Sequence, residues 1–399
     1  MNKIKSDFPI FDKYPDLVYL DNAATTQRPK SVVDRIGLFL AEENANIHRG
    51  VYDLSNKATS AYEEVRKKVA GFLNAPSTEC IGFTSGTTDS ANTIAQGYLK
   101  GQLKEGDNLI ISIAEHHGNF IPWQQLAKEK KAELRIIPLT NNGDLELSQL
   151  PKLIDSKTKF VSVQHISNTL GTLHDIEHII EISHQQNVPV MIDAAQSASL
   201  YSLDWDRIDY DFLAFSGHKV FGPFGVGVVF VAPNYQELVN PYKLGGGIIR
   251  DVQVDDTVFS GFPYVLDAGT PNISGVIGLG AALDYLVSLD RTELRKTQEE
   301  LINTAADRLS GVQGLSVLGT PKRRSSIISF TVDGIHPHEI ASFLNQDNIA
   351  VRAGMHCTQP LLDHLRTPAT ARMSTSIYNS VEDIDKLIDS LHGLIKFWS

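Results

Sequence analysis

The chain is poor in cysteine. Two cysteines in 399 residues, Cys80 and Cys357, lie far apart and exclude a disulfide framework. A reducing compartment fits that usage, and a cytoplasmic location is the expectation. Long apolar runs are missing as well: nothing approaches the roughly 18 residues that cross a bilayer. The opening segment, MNKIKSDFPIF, has two lysines but no apolar core and no small-residue cleavage site, so no secretory signal is expected. Basic residues are in deficit, 36 against 47 acidic, for a net charge of −11. That balance argues against nucleic acid or an anionic membrane as the main partner. No Cys/His cluster has metal-binding spacing, so no metal is expected, and there is no internal repeat or low-complexity tract. What is present is ordinary globular composition, 42% hydrophobic, with length for two domains.

Strand and helix patterns alternate through the first two thirds. Cys80–Thr84, Leu109–Ile113, Arg135–Leu139, Phe160–Val163, Val188–Ile192, Tyr210–Phe215 and Val226–Val231 read as short buried strands. Pro138 marks the third as a strand end or an edge. Helical periodicity covers about 30–43, 55–73, 85–99 and 176–186. This order predicts a mostly parallel α/β sheet with covering helices. A long helical region, about 277–309, is interrupted by a polar break and leads to a second unit. That unit has strands near 315–318 and 326–332 and helices at 338–345 and 381–397.

The stretch Tyr210–Pro223, YDFLAFSGHKVFGP, carries the strongest chemical signal. An apolar strand stops at Ser216-Gly217-His218-Lys219, and Gly222-Pro223 follow. A lysine at the carboxyl edge of a buried strand is partly desolvated, which makes a neutral amine available to condense with an aldehyde cofactor. Ser216 and His218 beside it are able to hold a phosphate. Ser85-Gly86-Thr87-Thr88 opens a helix, where free N–H groups and hydroxyls make another phosphate seat or simple N-caps. In parallel sheets ligands bind beyond the carboxyl ends of the strands. Four strands here end in His116, in Asn168, in Asp193 with Gln196, and in Lys219. The convergence places a base, an amide, a carboxylate and an amine at one edge.

The two cysteines read differently. Cys80 begins an apolar strand and suits a buried, inert thiol. Cys357 stands in Arg352-Ala353-Gly354-Met355-His356-Cys357-Thr358-Gln359-Pro360, a Gly/Pro-bounded loop in which Arg352 and His356 favour a thiolate.

Together the stretches YLDNAATTQRP, NIHRG, TSGTTD, EHHGNFIPW, HISNTLGT, DAAQS, FSGHKVFGP, GGG, AGTPNISG, VRAGMHCTQPL and RMSTSIYNS resemble the SufS-type cysteine desulfurases. These belong to the class-V aminotransferases among fold-type-I pyridoxal phosphate enzymes. The likeness covers nearly the whole chain. It implies a large domain, 21–280, with a mostly parallel seven-stranded sheet covered by helices, and a smaller α+β domain, 281–399, carrying the cysteine loop. An N-terminal segment, 1–20, would pack with the small domain. It also implies roles. Lys219 would carry the cofactor aldehyde and move protons, Asp193 would pair with the pyridine nitrogen, and His116 would stack on the ring. Gln196 would contact the ring oxygen, with Asn168 near cofactor and substrate. Thr87, Thr88, Ser216 and His218 would hold the phosphate, and Thr270 would reach the phosphate of the other subunit of a homodimer. Arg372, with Arg352 and His48, would bind the substrate, Arg372 clamping its carboxylate. Cys357 would take the sulfur of L-cysteine as a persulfide, leaving alanine.

The implied partner is a sulfur acceptor, SufU-like or SufE-like, feeding iron–sulfur cluster assembly. In the SufU case His338 or His336, just before or within a helix start, would meet the partner's zinc. Selenocysteine lyase, cysteine sulfinate desulfinase and other class-V enzymes are the alternatives. The chain departs from the common pattern at Met355, Ala194 and Asp89, none of which removes a group with an assigned role.

Overall fold

The computed structural model describes residues 3–398. The apolar runs of the first two thirds form one seven-stranded sheet. Its strands are β1 (Ile81–Thr84), β2 (Asn108–Ser112), β3 (Glu133–Ile137), β4 (Thr158–Gln164), β5 (Val190–Asp193), β6 (Phe212–Ser216) and β7 (Gly227–Val231). Their spatial order is β1-β7-β6-β5-β4-β2-β3. Only β7 runs antiparallel to its neighbours, so the other six share a direction. β2, β6 and β7 are buried at every residue, which is why they read as continuous apolar runs rather than alternating ones. β3 is the partly exposed edge, and Pro138 follows it directly, where no ladder N–H is needed. Cys80 is not in β1: it closes a short 3-10 turn, Thr78–Cys80, capped by Ser77, and the strand starts one residue later.

The helical region expected near 277–309 is two helices, Ile273–Val287 and Arg291–Ser310, which meet at 83° across the polar break. Asp290 causes the break, because its carboxylate caps the second helix by accepting from the Thr292 and Glu293 N–H groups. No single described helix is long and apolar enough to cross a membrane. Beyond the bend lies a four-stranded antiparallel sheet of β8 (Leu315–Val317), β9 (Ile327–Val332), β10 (Arg352–Gly354) and β11 (Thr370–Ser374), in the order β8-β9-β11-β10.

The first 20 residues touch both units. Phe8 and Phe11 are buried in the core of the large sheet, against Tyr378. Val18–Tyr19 instead pairs in parallel with Ile349–Ala350, and Val18 and Leu20 belong to the core of the small sheet. Arg352–Gly354, expected as part of a loop, is strand β10, paired antiparallel with β11, and Ile249–Val252 with Thr257–Phe259 forms a solvent-exposed hairpin that the sequence pattern does not announce.

Candidate active site

Because six strands of the large sheet point the same way, their carboxyl ends deliver their loops to one edge. There a cavity of about 170 Å³ is lined by Thr87, Thr88, His116, Asn168, Asp193, Gln196, Ser216, His218, Lys219, Arg352 and Arg372. All these residues were singled out from the sequence, and the fold brings them together.

Lys219 sits in the turn after β6, with its side chain partly accessible and in no salt bridge among the described residues. Burial lowers its pKa to about 8; Asp193 opposes the shift, while Arg372 and Arg352 add to it. Asp193 ends β5. One carboxylate oxygen accepts from the Ala195 N–H at 2.9 Å, and the other makes no hydrogen bond among the described residues. Burial raises the Asp193 pKa against the pull of that N–H and of Lys219. A buried carboxylate oxygen of this kind calls for a cationic or N–H partner.

The expected phosphate seat lies at the start of the Thr87–Thr93 helix. The Thr87 N–H donates to Ser216 Oγ at 2.9 Å, and the two hydroxyls lie 2.8 Å apart. Asp89 braces this turn by accepting from the Ser85 N–H and pairing with Lys243 at 2.7 Å. Gly118 closes the other side: a Cβ there would come within 2.5 Å of Thr88 Oγ1. Gln196 is anchored by donating to the Ala23 carbonyl at 2.9 Å. His116 Nδ1 accepts from the Gly118 N–H at 2.9 Å, which fixes the ring. Burial and the nearby Lys219 lower its pKa to about 3, so the imidazole is neutral at physiological pH. His218 is lowered to about 4, mainly by burial.

Arg372 lies within β11 and is almost completely buried. Its guanidinium donates to the Asn168 carbonyl at 2.7 Å and to Asp21 Oδ1 at 3.2 Å. Its Nε has no partner, and neither do Asn168 Oδ1 and His218 Nδ1. His356 Nδ1 is likewise open, so four buried polar atoms of cavity-lining residues lack a partner, and among them Arg372 Nε, a donor, suits an anionic group while Asn168 Oδ1, an acceptor, suits a donor. Seat, carboxylate and amine together match the phosphate, ring nitrogen and aldehyde of pyridoxal phosphate.

Cys357 does not line the cavity itself, although its neighbour His356 does. The thiol is half-buried and within electrostatic reach of Lys219 and Arg372. Two predicted residues lie elsewhere. His48 is exposed on a loop, 3.8 Å from Glu63 and edge-on to Tyr62. Thr270 is exposed in the turn before the Ile273–Val287 helix. Neither residue lines this chain's cavity. His336 and His338 stand on the small unit at the start of the Pro337–Gln346 helix. Sequence reasoning missed Asp21, the ion-pair partner of Arg372. It also missed Glu115, a fully buried carboxyl beside His116 that accepts from Asn119 Nδ2 at 2.7 Å and from the Gln164 N–H at 3.1 Å. Burial raises Glu115 to about 8. An acidic residue next to the small-residue turn, and one directly before two histidines, were the available signals.

Comparison with known proteins agrees with this geometry. The sequence profile of the family described as aminotransferase class-V matches residues 18–387. The chain is 42% identical to a probable cysteine desulfurase of Halalkalibacterium halodurans, over 98% of this chain and 97% of that one. It is 40% identical to a cysteine desulfurase of Pectobacterium atrosepticum, over 99% and 98%. Among solved structures it superposes on the cysteine desulfurase CsdA of Escherichia coli with a TM-score of 0.92 and 35% identity, covering 99% of this chain and 98% of that one. The cysteine desulfurase of Thermococcus onnurineus NA1 gives 0.93 and 36%, with 98% and 97% covered. The chain belongs to the class-V aminotransferase family, with cysteine desulfurases as its near relatives.

Proposed function

We propose that the protein is a pyridoxal-phosphate-dependent L-cysteine desulfurase acting in the cytoplasm, which passes sulfur through a persulfide on Cys357 to an acceptor for iron–sulfur cluster assembly. The observation that carries this reading is the meeting of Lys219, Asp193 and the Thr87–Ser216 seat in one cavity with the Cys357 loop at its side. When bound, the cofactor supplies an aldehyde and a ring that withdraws electrons from the substrate Cα.

The chain's own groups divide the rest. Thr87, Thr88, Ser216 and His218 hold the phosphate, with the helix N-terminus adding its N–H groups. Asp193 would pair with the ring nitrogen, Gln196 and Asn168 would contact the ring substituent and substrate, and the neutral ring of His116, fixed by the Gly118 N–H, would pack against the cofactor. Lys219, with its lowered pKa, exists partly as the free amine near pH 8 and takes and returns the Cα proton. Arg372, aided by Arg352, orients the substrate carboxylate. The Cys357 thiolate then bonds to the substrate sulfur. The carbon–sulfur bond breaks, its electron pair stays on carbon, and protonation there gives alanine.

We assign residues 21–280 to the cofactor-binding unit and 281–399 to the unit carrying Cys357. Thr270 and His48, exposed outside the cavity, suit a homodimer in which they serve the other copy's site. The acceptor side also narrows. His336 Nδ1 is occupied in capping, accepting from the His338 N–H at 3.2 Å, while Glu339 accepts from the His336 N–H. The His338 ring makes no hydrogen bond among the described residues and stacks on His336 with centroids 5.3 Å apart. His338 is therefore the free imidazole for a zinc-bearing, SufU-like acceptor. His338→Ala should lose acceptor-stimulated turnover while keeping activity with a small thiol.

The deciding experiment incubates the holoenzyme with L-cysteine and a reductant and measures sulfide and alanine together. Equal amounts of both are expected. Sulfide without alanine would overturn the reading.

A further inference from the structure

The Cys357 loop has an uncommon backbone. His356 and Cys357 are consecutive non-glycine residues with φ of 51° and 57°, a left-handed conformation that L residues seldom adopt in succession. Such a conformation persists when its surroundings over-determine it. One restraint comes from the small sheet, where His356 Nε2 lies 2.7 Å from Thr370 Oγ1, and the others come from the large sheet's loops. The Asn168 side chain donates to the His356 carbonyl at 2.7 Å, and the hydroxyls of Thr169 and Thr358 lie 2.8 Å apart. The remaining two bonds come from one residue. The His117 N–H donates to the Cys357 carbonyl at 2.7 Å, and His117 Nε2 accepts from the Gln359 N–H at 3.2 Å.

We propose that His117 is a positioning residue for the thiol, holding the Cys357 loop at two backbone points, Cys357 and Gln359, so that the sulfur is placed without itself being bonded. His117 directly follows His116, which lines the cavity. The same two-residue step therefore sets the ring that faces the cofactor seat and the grip that holds the loop. Burial lowers the His117 pKa and so favours the neutral ring, and the Gln359 N–H aimed at Nε2 selects the tautomer in which that nitrogen accepts. The residue touches no reacting atom in this arrangement; it acts through the loop. Its value to catalysis rests on the reading of Cys357 as the sulfur-accepting thiol, but the test below does not, so the two ideas fail separately.

The test is iodoacetamide alkylation of the intact protein, followed by peptide mass analysis at Cys357 and Cys80 separately. His117→Phe keeps ring bulk but offers no acceptor. Loss of one backbone hydrogen bond should let the loop open more often and speed alkylation of Cys357 by about fivefold. His117→Gln places an amide oxygen near the position of Nε2 and should restore the rate to within about twofold of the unsubstituted protein. Cys80 should stay unreactive in both. An unchanged rate in His117→Phe overturns the proposal, and so does a His117→Gln rate as fast as that of His117→Phe. If His117→Phe unfolds, which a reactive Cys80 would report, Gln359→Pro removes the donor instead, at a first helical position where proline is at home. That variant must then show the faster Cys357 alkylation, or the idea is wrong.

Discussion

The two cysteines of this chain are held in opposite ways. Cys80 is held by its sulfur. It is fully buried at the end of a 3-10 turn, Gln236 Nε2 donates to Sγ at 3.3 Å, and Ser77 Oγ lies 3.8 Å away. Burial pushes its thiol pKa up. Cys357 is held by its peptide groups. Its carbonyl and that of His356 are bonded to the large sheet's loops, while its sulfur makes no hydrogen bond among the described residues. A protein makes a thiol inert by satisfying the sulfur, and makes it usable by fixing the backbone and leaving the sulfur alone. The second arrangement costs strained dihedrals, and it occurs beside the cavity that contains Lys219 and Asp193.

The hardest blow to this contrast exchanges single atoms. Cys357→Ser should cut alanine release at saturating L-cysteine by about a thousandfold or more, as loss of a nucleophile does elsewhere. Cys80→Ser should remain within about threefold in the same assay, since its sulfur faces no substrate. The reverse ranking would end the argument. The next test asks whether the neighbouring amine is as available as the thiol. With Lys219 lowered to about 8 by burial, its neutral fraction grows as pH rises through that value and then levels off. Borohydride trapping of pyridoxal phosphate on the apoprotein should therefore rise from pH 7 to a plateau above about 8, whereas an ordinary lysine would still be gaining neutral amine near pH 10. Lys219→Ala should trap nothing.

A smaller effect is expected at the substrate clamp. Arg372→Lys replaces a two-pronged donor with a point charge and should raise KM for L-cysteine about tenfold or more. An unchanged KM would move the carboxylate contact to Arg352. Smallest is the effect on stability. Cys80→Ala removes a buried sulfur and its bond from Gln236 and should lower the unfolding free energy by about 1–2 kcal/mol in urea titration. Cys357→Ala should change it by about 0.5 kcal/mol or less.

Much of this was legible from residues in order. The strands β2, β4, β5 and β6 were visible as apolar runs, and each was followed by its chemical residue because a parallel sheet delivers its loops to one edge. Lys219 and Asp193 could be placed for that reason alone. What was not legible depends on distant pairings. Arg372 lies between Ala371 and Met373, and nothing local says that this cation is buried, because Asp21 and Asn168 come from other parts of the chain. His117 looked like a mere companion of His116, since its partners Cys357 and Gln359 are some 240 residues downstream. The polar break near 288–290 was visible, but the 83° bend there was not, because it turns on the capping geometry of Asp290. The exposed hairpin at Ile249–Phe259 has too little buried surface to impose an alternating pattern.

The pairing of Val18–Tyr19 with Ile349–Ala350 has a consequence for biogenesis. A ribosome emits the first strand roughly 330 residues before its partner. At roughly 5–20 residues per second, that interval lasts tens of seconds. During it the large sheet can already fold, and Phe8 and Phe11 can dock on part of it, but two backbone rungs and the apolar faces of Val18 and Leu20 stay open. The segment is thus a late fastening in the chronology of synthesis, closed only when the last unit emerges, and the nascent chain presents a short unpaired edge for most of its translation.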